Sequence, residues 1–115
     1  MIYPSSEDFN KFWMQQAEWS NQTFGTERKR GPVGPLKHLE KEAREAYGES
    51  DKTKQQEEII DCFFLVVDAA RRAGLTPETF FYCAFWKLEK NKNREWQKPT
   101  TPNEAVEHIR DGEPI

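Results

Sequence analysis

Glycine and proline divide this chain into segments of helical length, and this punctuation constrains the fold more than any other feature of the sequence. The run Gly31–Pro35 (GPVGP) predicts a loop between the first and second segments. Gly25, Gly48 and Gly74 stand where helical patterns stop, as is typical of residues just past a helix end. No segment alternates apolar and polar residues as a half-buried strand does. The sequence therefore predicts an all-α protein.

Start and stop signals place four long helices and one short helix along the chain. Thr76-Pro77-Glu78 is a strong helix start, and Thr101-Pro102-Asn103-Glu104 repeats its cap and proline. The third helix should be central and the most buried, because apolar residues cover most of its circumference. The expected helices run from Ser5 or Ser6 to about Phe24, from Leu36 to about Tyr47, from about Asp51 to Ala73, after Thr76 to about Trp96, and after Thr101 to about Arg110. The predicted fold is a four-helix core with a short C-terminal helix.

Length and composition predict a single domain over residues 1–115. The 8 Phe, 4 Trp and 3 Tyr residues argue against disorder, since disordered chains lack large apolar rings. A chain this small can leave an apolar face uncovered, so we expect a homo-oligomer. The formal net charge is −3 and no basic stripe is visible, so direct nucleic-acid binding is not expected.

The sequence also predicts a soluble protein of a reducing compartment, namely the cytoplasm. No segment approaches the ~20 apolar residues that span a bilayer. The beginning MIYPSSEDF has neither the basic nor the apolar region of an export signal. Cys62 and Cys83 each lie in an apolar helical stretch, where two small buried thiols are expected rather than a disulfide or a metal pair.

Two short acidic motifs carry the clearest indication of chemistry. Glu42 and Glu45 lie three residues apart on the second helix, and Glu58 and Asp61 have the same spacing on the third. Residues at this spacing share a helical face, and the 12 residues 46–57 leave room for a turn between antiparallel neighbours. Four converging carboxylates raise one another's pKa unless a cation neutralises them. An all-oxygen set is what Mg²⁺ or Mn²⁺ prefers, so these four residues are candidate metal ligands.

The two motifs differ in how strongly they argue for a site. Glu42 and Glu45 taken alone fit an ordinary solvated helix face, because other charged residues surround them. Glu58 and Asp61 interrupt an apolar helix, where acids are rare unless they have a partner. A di-iron carboxylate site needs histidines that follow glutamates by three residues, and neither histidine of this chain does so.

Asp68 lies two helical turns after Asp61 on nearly the same face. It is either a fifth, peripheral acid of the cluster or a salt-bridge partner for Arg71 or Arg72. Later in the chain, Lys87, Asn91 and Arg94 form a polar stripe on the fourth helix, with Lys90 at its edge. This stripe is either a solvated helix end or, beside a metal cluster, a set of donors for phosphate oxygens.

These motifs together resemble a known superfamily. Glu42-x-x-Glu45 followed by Glu58-x-x-Asp61 resembles the acidic pattern of the MazG-like, all-α nucleoside triphosphate pyrophosphohydrolases, and the Lys87, Asn91, Arg94 stripe resembles their phosphate-contacting segment. Two further segments resemble the dATP/dGTP diphosphohydrolase branch, which occurs in phages and bacteria. They are Gln16-x-x-Trp19-Ser20-x-x-Thr23-Phe24-Gly25 and Arg30-Gly31-Pro32-x-x-Pro35-Leu36-x-His38-Leu39-x-Lys41-Glu42. The resemblance extends from about residue 10 to residue 96.

The resemblance implies Mg²⁺-dependent hydrolysis between the α and β phosphates, giving a nucleoside monophosphate and pyrophosphate. It implies that the four acids hold Mg²⁺, for which Mn²⁺ can substitute. Physical chemistry adds a general base, for which we favour Glu45 over Glu42, and neutralisation of pyrophosphate by Lys87 and Arg94. The resemblance also implies a homodimer or homotetramer in which neighbouring subunits complete the sites.

Base recognition is the least constrained part of this interpretation. Trp19 and Phe24 either stack on a purine or pack between helices. His38 either contacts phosphates or packs at the loop exit, and the run Arg28–Arg30 is either a solvated loop or a segment that closes over the nucleotide. The candidate residues for the base and its surroundings are Gln16, Trp19, Ser20, Asn21, Phe24 and His38.

The sequence therefore predicts a pyrophosphohydrolase of dATP or dGTP. One alternative keeps the reaction but changes the substrate to dUTP, dCTP or a damaged nucleotide. Another is a non-catalytic helical module that binds nucleotides or other partners and keeps the carboxylates as a relic. The presence of all four acids and of the Lys, Asn and Arg stripe favours the enzyme, because a relic should have lost some of them.

Overall fold

A computed structural model describes residues 6–110 of the chain. These residues form four helices, α1 (Ser6–Phe24), α2 (Val33–Gly48), α3 (Lys52–Arg72) and α4 (Pro77–Lys92). Over the same residues no strand forms, and β-pairing is confined to an isolated bridge between Trp96 and His108. The predicted all-α class is thus confirmed. No helix within residues 6–110 is long and apolar enough to cross a membrane.

Contacts divide the chain into two compact units, Met1–Phe80 and Phe81–Ile115. The first unit contains α1, α2, α3 and the first turn of α4, and the second contains the rest of α4 and the segment after it. The prediction of a single domain over residues 1–115 stays a prediction.

The boundaries of α1 and α3 agree with the signals in the sequence. α1 begins at Ser6 and ends before Gly25, whose φ of +102° is costly for a residue with a side chain. Asp51 caps α3, because its side chain accepts a hydrogen bond of 2.9 Å from the backbone N–H of Lys54. Gly74, with φ +101°, follows the end of α3. Ser5, the alternative cap of α1, lies outside the described residues.

α2 begins earlier than expected, at Val33 instead of Leu36. Gly34 and Pro35 therefore belong to its first turn, and the prediction that they form part of a loop is wrong. Proline is compatible with this position because the N–H groups of the first turn have no helical acceptor. The first helical hydrogen bond runs from the backbone N–H of Leu36 to the carbonyl of Pro32, at 3.1 Å.

α4 begins as predicted but ends earlier. Thr76 caps it, since its hydroxyl accepts a hydrogen bond of 3.2 Å from the backbone N–H of Thr79. The helix ends at Lys92 rather than near Trp96. The indole N–H of Trp96 instead donates to the carbonyl of Asn91 at 2.8 Å, so this side chain satisfies a carbonyl of the helix end.

The short helix expected after Thr101 does not form, so this prediction is wrong. The residues after it are a turn followed by irregular backbone. Their backbone groups pair with the segment before the turn: the N–H of Gln97 donates to the carbonyl of Glu107 at 3.2 Å, and that of Ile109 to the carbonyl of Glu95 at 2.7 Å. These partners replace the intrahelical ones that a tail helix would supply.

The buried residues of α3 lie in its C-terminal half, where Val67 and Ala69 are enclosed. It packs against α1 and, along most of its length, against α2. An aromatic cluster of the first unit joins α1 to α3, with ring centroids of Phe12 and Phe63 5.7 Å apart and those of Phe12 and Phe64 5.2 Å apart. Trp13 of α1 is buried beside this cluster.

The N-terminal half of α3 contradicts the expectation of burial. Ile59 and Ile60 are each 54% exposed, because their side chains find few neighbours within a single copy of the chain. In the second unit the α4 residues are exposed too, except for the half-buried Asn91, and the exposed ones include Cys83. The expectation of two buried thiols is therefore wrong for Cys83, while Cys62 is half-buried.

Candidate functional site

A cavity of about 320 Å³ in the first unit brings seven of the predicted site residues together. This volume lies at the lower end of the range for small-molecule sites. α1 contributes candidate base-binding side chains, α2 contributes a histidine and a glutamate, and α3 contributes two aspartates and apolar residues. The lining consists of Gln16, Trp19, Phe24, His38, Glu42, Asp61, Phe64, Leu65 and Asp68.

Trp19 and Phe24 form an aromatic wall of this cavity. Their ring centroids are 5.5 Å apart with the planes at 89°, an edge-to-face pair. They remain 53% and 40% exposed, respectively, so helix packing does not bury them. The guanidinium of Arg30 lies over the ring of Phe24, 5.4 Å from its centroid. The two rings are therefore not core residues of this unit, and their stacking on a purine stays a prediction.

His38 projects from the first turns of α2 toward Glu42, one turn further on. Its Nε2 lies 3.1 Å from Oε1 of Glu42, and both residues line the cavity. His38 is thus in contact with a candidate metal ligand. Both roles considered for it, contact with phosphates and packing at the loop exit, stay predictions.

The four candidate carboxylates are divided between two concavities. Glu42 and Asp61 line the cavity described above. Glu45 and Glu58 line a second concavity of about 300 Å³, together with Arg44, Gly48 and Glu49.

The four acids are nonetheless close enough to interact electrostatically. Burial raises the pKa of Glu58 above its ordinary value of 4.5, and the negative charges of neighbouring acids raise it further. In order of decreasing effect these are Glu49, Glu45, Glu42 and Asp61.

The residues present fit a divalent cation by the chemistry of their donors. Oε2 of Glu58 is buried and accepts no hydrogen bond from residues 6–110, so it is available to a cation. The surrounding groups are carboxylates, which are the ligands that Mg²⁺ prefers. Over residues 6–110, however, no three His, Cys, Asp or Glu side chains are already arranged as a metal-binding group. Metal binding by Glu42, Glu45, Glu58 and Asp61 therefore stays a prediction.

Asp68 is a salt-bridge partner of both arginines. Its Oδ1 lies 3.0 Å from the guanidinium of Arg71, and its Oδ2 lies 3.0 Å from Nε of Arg72. Burial alone would raise the pKa of Asp68, but hydrogen bonds from Ser20 and the two arginines hold it below its ordinary value of 3.8. With its charge compensated in this way, Asp68 forms part of the cavity wall as a paired anion. Of the two roles considered for it, the salt-bridge role is the one this geometry supports.

Ser20 and Gln16 belong to the same buried network. The hydroxyl of Ser20 donates to Oδ1 of Asp68 at 2.6 Å, and Nε2 of Gln16 donates to the same oxygen at 3.5 Å. Ser20 is fully buried and is not part of the cavity lining, whereas Gln16 is. Asn21 is half-buried and lies outside the lining as well. Contact of Gln16 or Ser20 with a base stays a prediction.

Sequence reasoning missed the reach of Arg72. Its guanidinium also donates to the carbonyls of Arg30 and Gly25, at 2.8 Å and 2.7 Å. The available signal was two adjacent arginines near the end of a largely apolar helix, one of them four residues after an aspartate.

In the second unit, the predicted polar stripe forms a cationic cluster. Arg94 follows the end of α4 instead of lying on it, yet its guanidinium donates to Oδ1 of Asn91 at 3.3 Å. The positive charge of Arg94 lowers the pKa of Lys87, and burial and Lys90 lower it further. Lys87, Asn91 and Arg94 are therefore neighbours, as the sequence predicted.

A helical chain with an aromatic-walled cavity beside a group of carboxylates has the features of a nucleotide-processing protein. Comparison with known proteins gives the particular family. Residues 12–114 match the family model described as dATP/dGTP pyrophosphohydrolase. The chain therefore belongs to the dATP/dGTP pyrophosphohydrolase family, and the resemblance seen in the sequence is confirmed.

The chain is also 43% identical over 100 residues to the Eaa protein of Salmonella phage P22. The aligned region covers 87% of this chain and 26% of the phage protein, so the chain spans about a quarter of the length of that relative. No solved structure matches the chain.

Proposed function

We propose that this chain hydrolyses purine deoxynucleoside triphosphates, dATP or dGTP, to the monophosphate and pyrophosphate. The observation that carries the proposal is the cavity in which the aromatic wall of Trp19 and Phe24 faces a space shared with Glu42 and Asp61. Such a space suits a ligand with a flat ring at one end and a metal-bound polyphosphate at the other. Membership of the dATP/dGTP pyrophosphohydrolase family supports the same reaction.

Glu42, Glu45, Glu58 and Asp61 would hold Mg²⁺, with Mn²⁺ as a substitute. When bound, the cation supplies neutralisation of phosphate charge and Lewis-acid assistance at phosphorus. Oε2 of Glu58, which accepts no hydrogen bond within the described part of the chain, supports this role, as does the charge repulsion that raises the pKa of Glu58.

Glu45 is our candidate for the general base. Glu42 is in contact with His38, whereas Glu45 is exposed to solvent at the second concavity. Glu45 would accept a proton from the attacking water while the oxygen of that water bonds to the α-phosphorus. The bond from the α-phosphorus to the bridging oxygen then breaks, and that oxygen leaves as part of pyrophosphate.

The cationic cluster of Lys87, Asn91 and Arg94 would receive the departing pyrophosphate. Its cations repel one another, as the lowered pKa of Lys87 indicates, and a polyanion relieves that repulsion. On the aromatic wall, one of the perpendicular rings of Trp19 and Phe24 would stack on the purine and the other would meet its edge, while Gln16 contacts a polar group of the base.

We propose further that the active form is a homodimer or homotetramer. Ile59 and Ile60 of α3 are exposed in the first unit, and Phe85 and Trp86 of α4 are 68% and 59% exposed in the second. Apolar side chains on this scale usually mark an interaction surface. Light scattering behind a sizing column should give a mass above the monomer's, and Ile60→Glu should lower it. A wild-type monomer would contradict this assembly.

The decisive experiment is a panel of ribo- and deoxynucleoside triphosphates, including dUTP, dCTP and oxidised nucleotides, incubated with Mg²⁺. We expect dGTP or dATP to give monophosphate and pyrophosphate, and no turnover in EDTA. Faster cleavage of dUTP, dCTP or a damaged nucleotide would contradict the purine preference. Thermal stabilisation by dGTP without turnover would contradict the enzyme and favour a binding module.

A further inference from the structure

Arg72 makes an unusually complete set of hydrogen bonds for a side chain that no solvent reaches. It lies in the last turn of α3, and its side chain is 0% exposed. Besides Nε to Asp68 at 3.0 Å, one terminal nitrogen donates to the carbonyl of Arg30 at 2.8 Å. The other donates to the hydroxyl of Ser20 at 3.0 Å and to the carbonyl of Gly25 at 2.7 Å. The planar fork of an arginine can satisfy such a set, whereas a single ammonium cannot.

These bonds hold both ends of the connection between α1 and α2. Gly25 directly follows Phe24, and Arg30 closes a turn in which its N–H donates to the carbonyl of Thr26 at 2.9 Å. The side chain of Arg30 returns to lie over the ring of Phe24. Arg72 therefore fixes the backbone beside Phe24 and the residue whose cation covers its ring.

Asp68 makes this arrangement possible from the cavity side. A buried guanidinium without an anion is strongly destabilising, and Asp68 supplies that anion. The same carboxylate accepts from Nε2 of Gln16 and lines the cavity together with Gln16 and Phe24. The pair thus connects the α1 wall of the cavity to the loop that follows it.

We propose that Asp68 and Arg72 are positioning residues for nucleotide binding, which hold Phe24 and Gln16 in their binding positions before the nucleotide arrives. The inference rests on the proposed function, since it assigns the ligand of that cavity. Preorganised walls strengthen binding because no ordering cost is left to the binding step. Among the described residues, the hydrogen bonds of Asp68 and Arg72 lead to Gln16, Ser20, Arg71 and the loop, and none leads to a proposed metal ligand. Loss of the pair should therefore act on affinity rather than on the chemical step.

The test compares Arg72→Lys with Arg71→Lys in the full chain. Lysine keeps the charge beside Asp68 but cannot reach all four acceptors of Arg72. KM for dGTP, and Kd for its non-hydrolysable α,β-methylene analogue, should rise about tenfold while kcat stays within about twofold. Arg71 also pairs with Asp68, but its other contact is Glu27 at 3.2 Å, so Arg71→Lys should leave KM within about twofold.

A double-mutant cycle separates positioning from a purely structural role. With Phe24→Leu in the background, Arg72→Lys should change KM by only about twofold, because the ring that it positions is absent. Additive effects would overturn the proposal, and so would a loss of kcat as large as the rise in KM. If Arg72→Lys lacks the circular dichroism spectrum of the native protein, Ser20→Ala removes one acceptor of Arg72 instead. It should raise KM a few fold at constant kcat, and an unchanged KM would overturn the proposal.

The binding arm also separates this proposal from the proposed function. Wild-type protein that binds the analogue but never releases pyrophosphate refutes the enzyme, while the Kd values of the variants still test the positioning role. Wild-type protein that binds no purine nucleotide overturns both proposals.

Discussion

Asp68, in its buried hydrogen-bond network, and Glu58, at the second concavity, are both acids of α3, but their negative charges are neutralised in opposite ways. Both oxygens of Asp68 accept hydrogen bonds from cationic side chains, and its pKa is lowered. Glu58 faces other acids, has a buried oxygen that no side chain of residues 6–110 contacts by a hydrogen bond, and has a raised pKa. Arginines supply the counter-charge in the first region, and we propose that a bound cation supplies it in the second. We infer that the first region is a support and the second is where the chemistry takes place.

The largest effect should follow from removing the proposed base. Glu45→Gln should lower kcat for dGTP at saturating Mg²⁺ about 10³-fold, because the amide cannot accept the proton of the attacking water. Steady-state release of pyrophosphate measures this change. Glu49→Gln is the matched control, since Glu49 lines the same second concavity but is not a predicted metal ligand. Its kcat should stay within about fivefold of wild type. Equal losses in the two variants would remove Glu45 from its role.

The next prediction concerns the Asp68 network and its contribution to the stability of the fold. Asp68→Ala leaves Arg72 buried without an anion and should lower the free energy of unfolding by about 3–5 kcal/mol. Urea unfolding followed by circular dichroism measures it. The matched control is Glu40→Ala, which breaks the exposed pair of Glu40 with Arg44 and should cost at most about 0.5 kcal/mol. A small loss for Asp68→Ala would show that the buried network is not a support.

A smaller effect is expected in the cationic cluster of the second unit. Lys87→Gln should raise KM for dGTP about tenfold, because one charge-assisted contact to the polyphosphate is lost. Lys92 carries the same charge nearby but pairs with Glu89 at 3.4 Å, so Lys92→Gln should leave KM nearly unchanged. Substrate-saturation curves for both variants decide the matter. Equal KM values would exclude the cluster from phosphate binding.

The smallest effects should appear in the pH dependence of stability, where the two acids act in opposite directions. The lowered pKa of Asp68 stabilises the fold above pH 3.8, and this contribution is lost as the pH falls through the lowered folded-state pKa. The raised pKa of Glu58 stabilises the fold below pH 4.5, and this contribution is lost as the pH rises through the raised folded-state pKa.

Urea midpoints in EDTA between about pH 3 and pH 7 test this contrast. Asp68→Asn should flatten the acid side of the profile, and Glu58→Gln should flatten the fall above pH 4.5. Mg²⁺ should restore stability above pH 4.5 in wild type but much less in Glu58→Gln. A profile in which Glu58→Gln has the slope of wild type would contradict the unpaired state of this carboxylate.

Much of the fold was predictable because local signals decide it. The caps Asp51 and Thr76, and the glycines Gly25 and Gly74, set helix ends through hydrogen bonds and backbone freedom that act within a few residues. The failed helix after Thr101 has the same start signal, but its backbone groups found partners across a turn instead. A start signal favours a helix locally, but hydrogen-bond partners elsewhere in the chain decide whether the helix forms.

The candidate site was predictable as a set of residues but not as a geometry. Helical spacing placed Glu42 and Glu45 on one face, yet it could not show that they line different concavities. Two hydrogen bonds of Arg72 go to backbone carbonyls of a loop, and every residue has such a carbonyl, so no residue pattern predicts them. The exposure of Ile59 and Ile60 could not be predicted either. An apolar residue at helical spacing looks the same in the sequence whether it packs within its own chain or against another protein.

The most direct test of the proposed reaction is hydrolysis of dGTP with Mg²⁺ in ¹⁸O-labelled water, with the products separated and weighed by mass spectrometry. Attack on the α-phosphorus predicts one ¹⁸O atom in dGMP and none in pyrophosphate, and Glu45→Gln should slow the formation of both products about 10³-fold. Label in pyrophosphate, release of orthophosphate, or no cleavage of any purine deoxynucleoside triphosphate would contradict the proposed reaction.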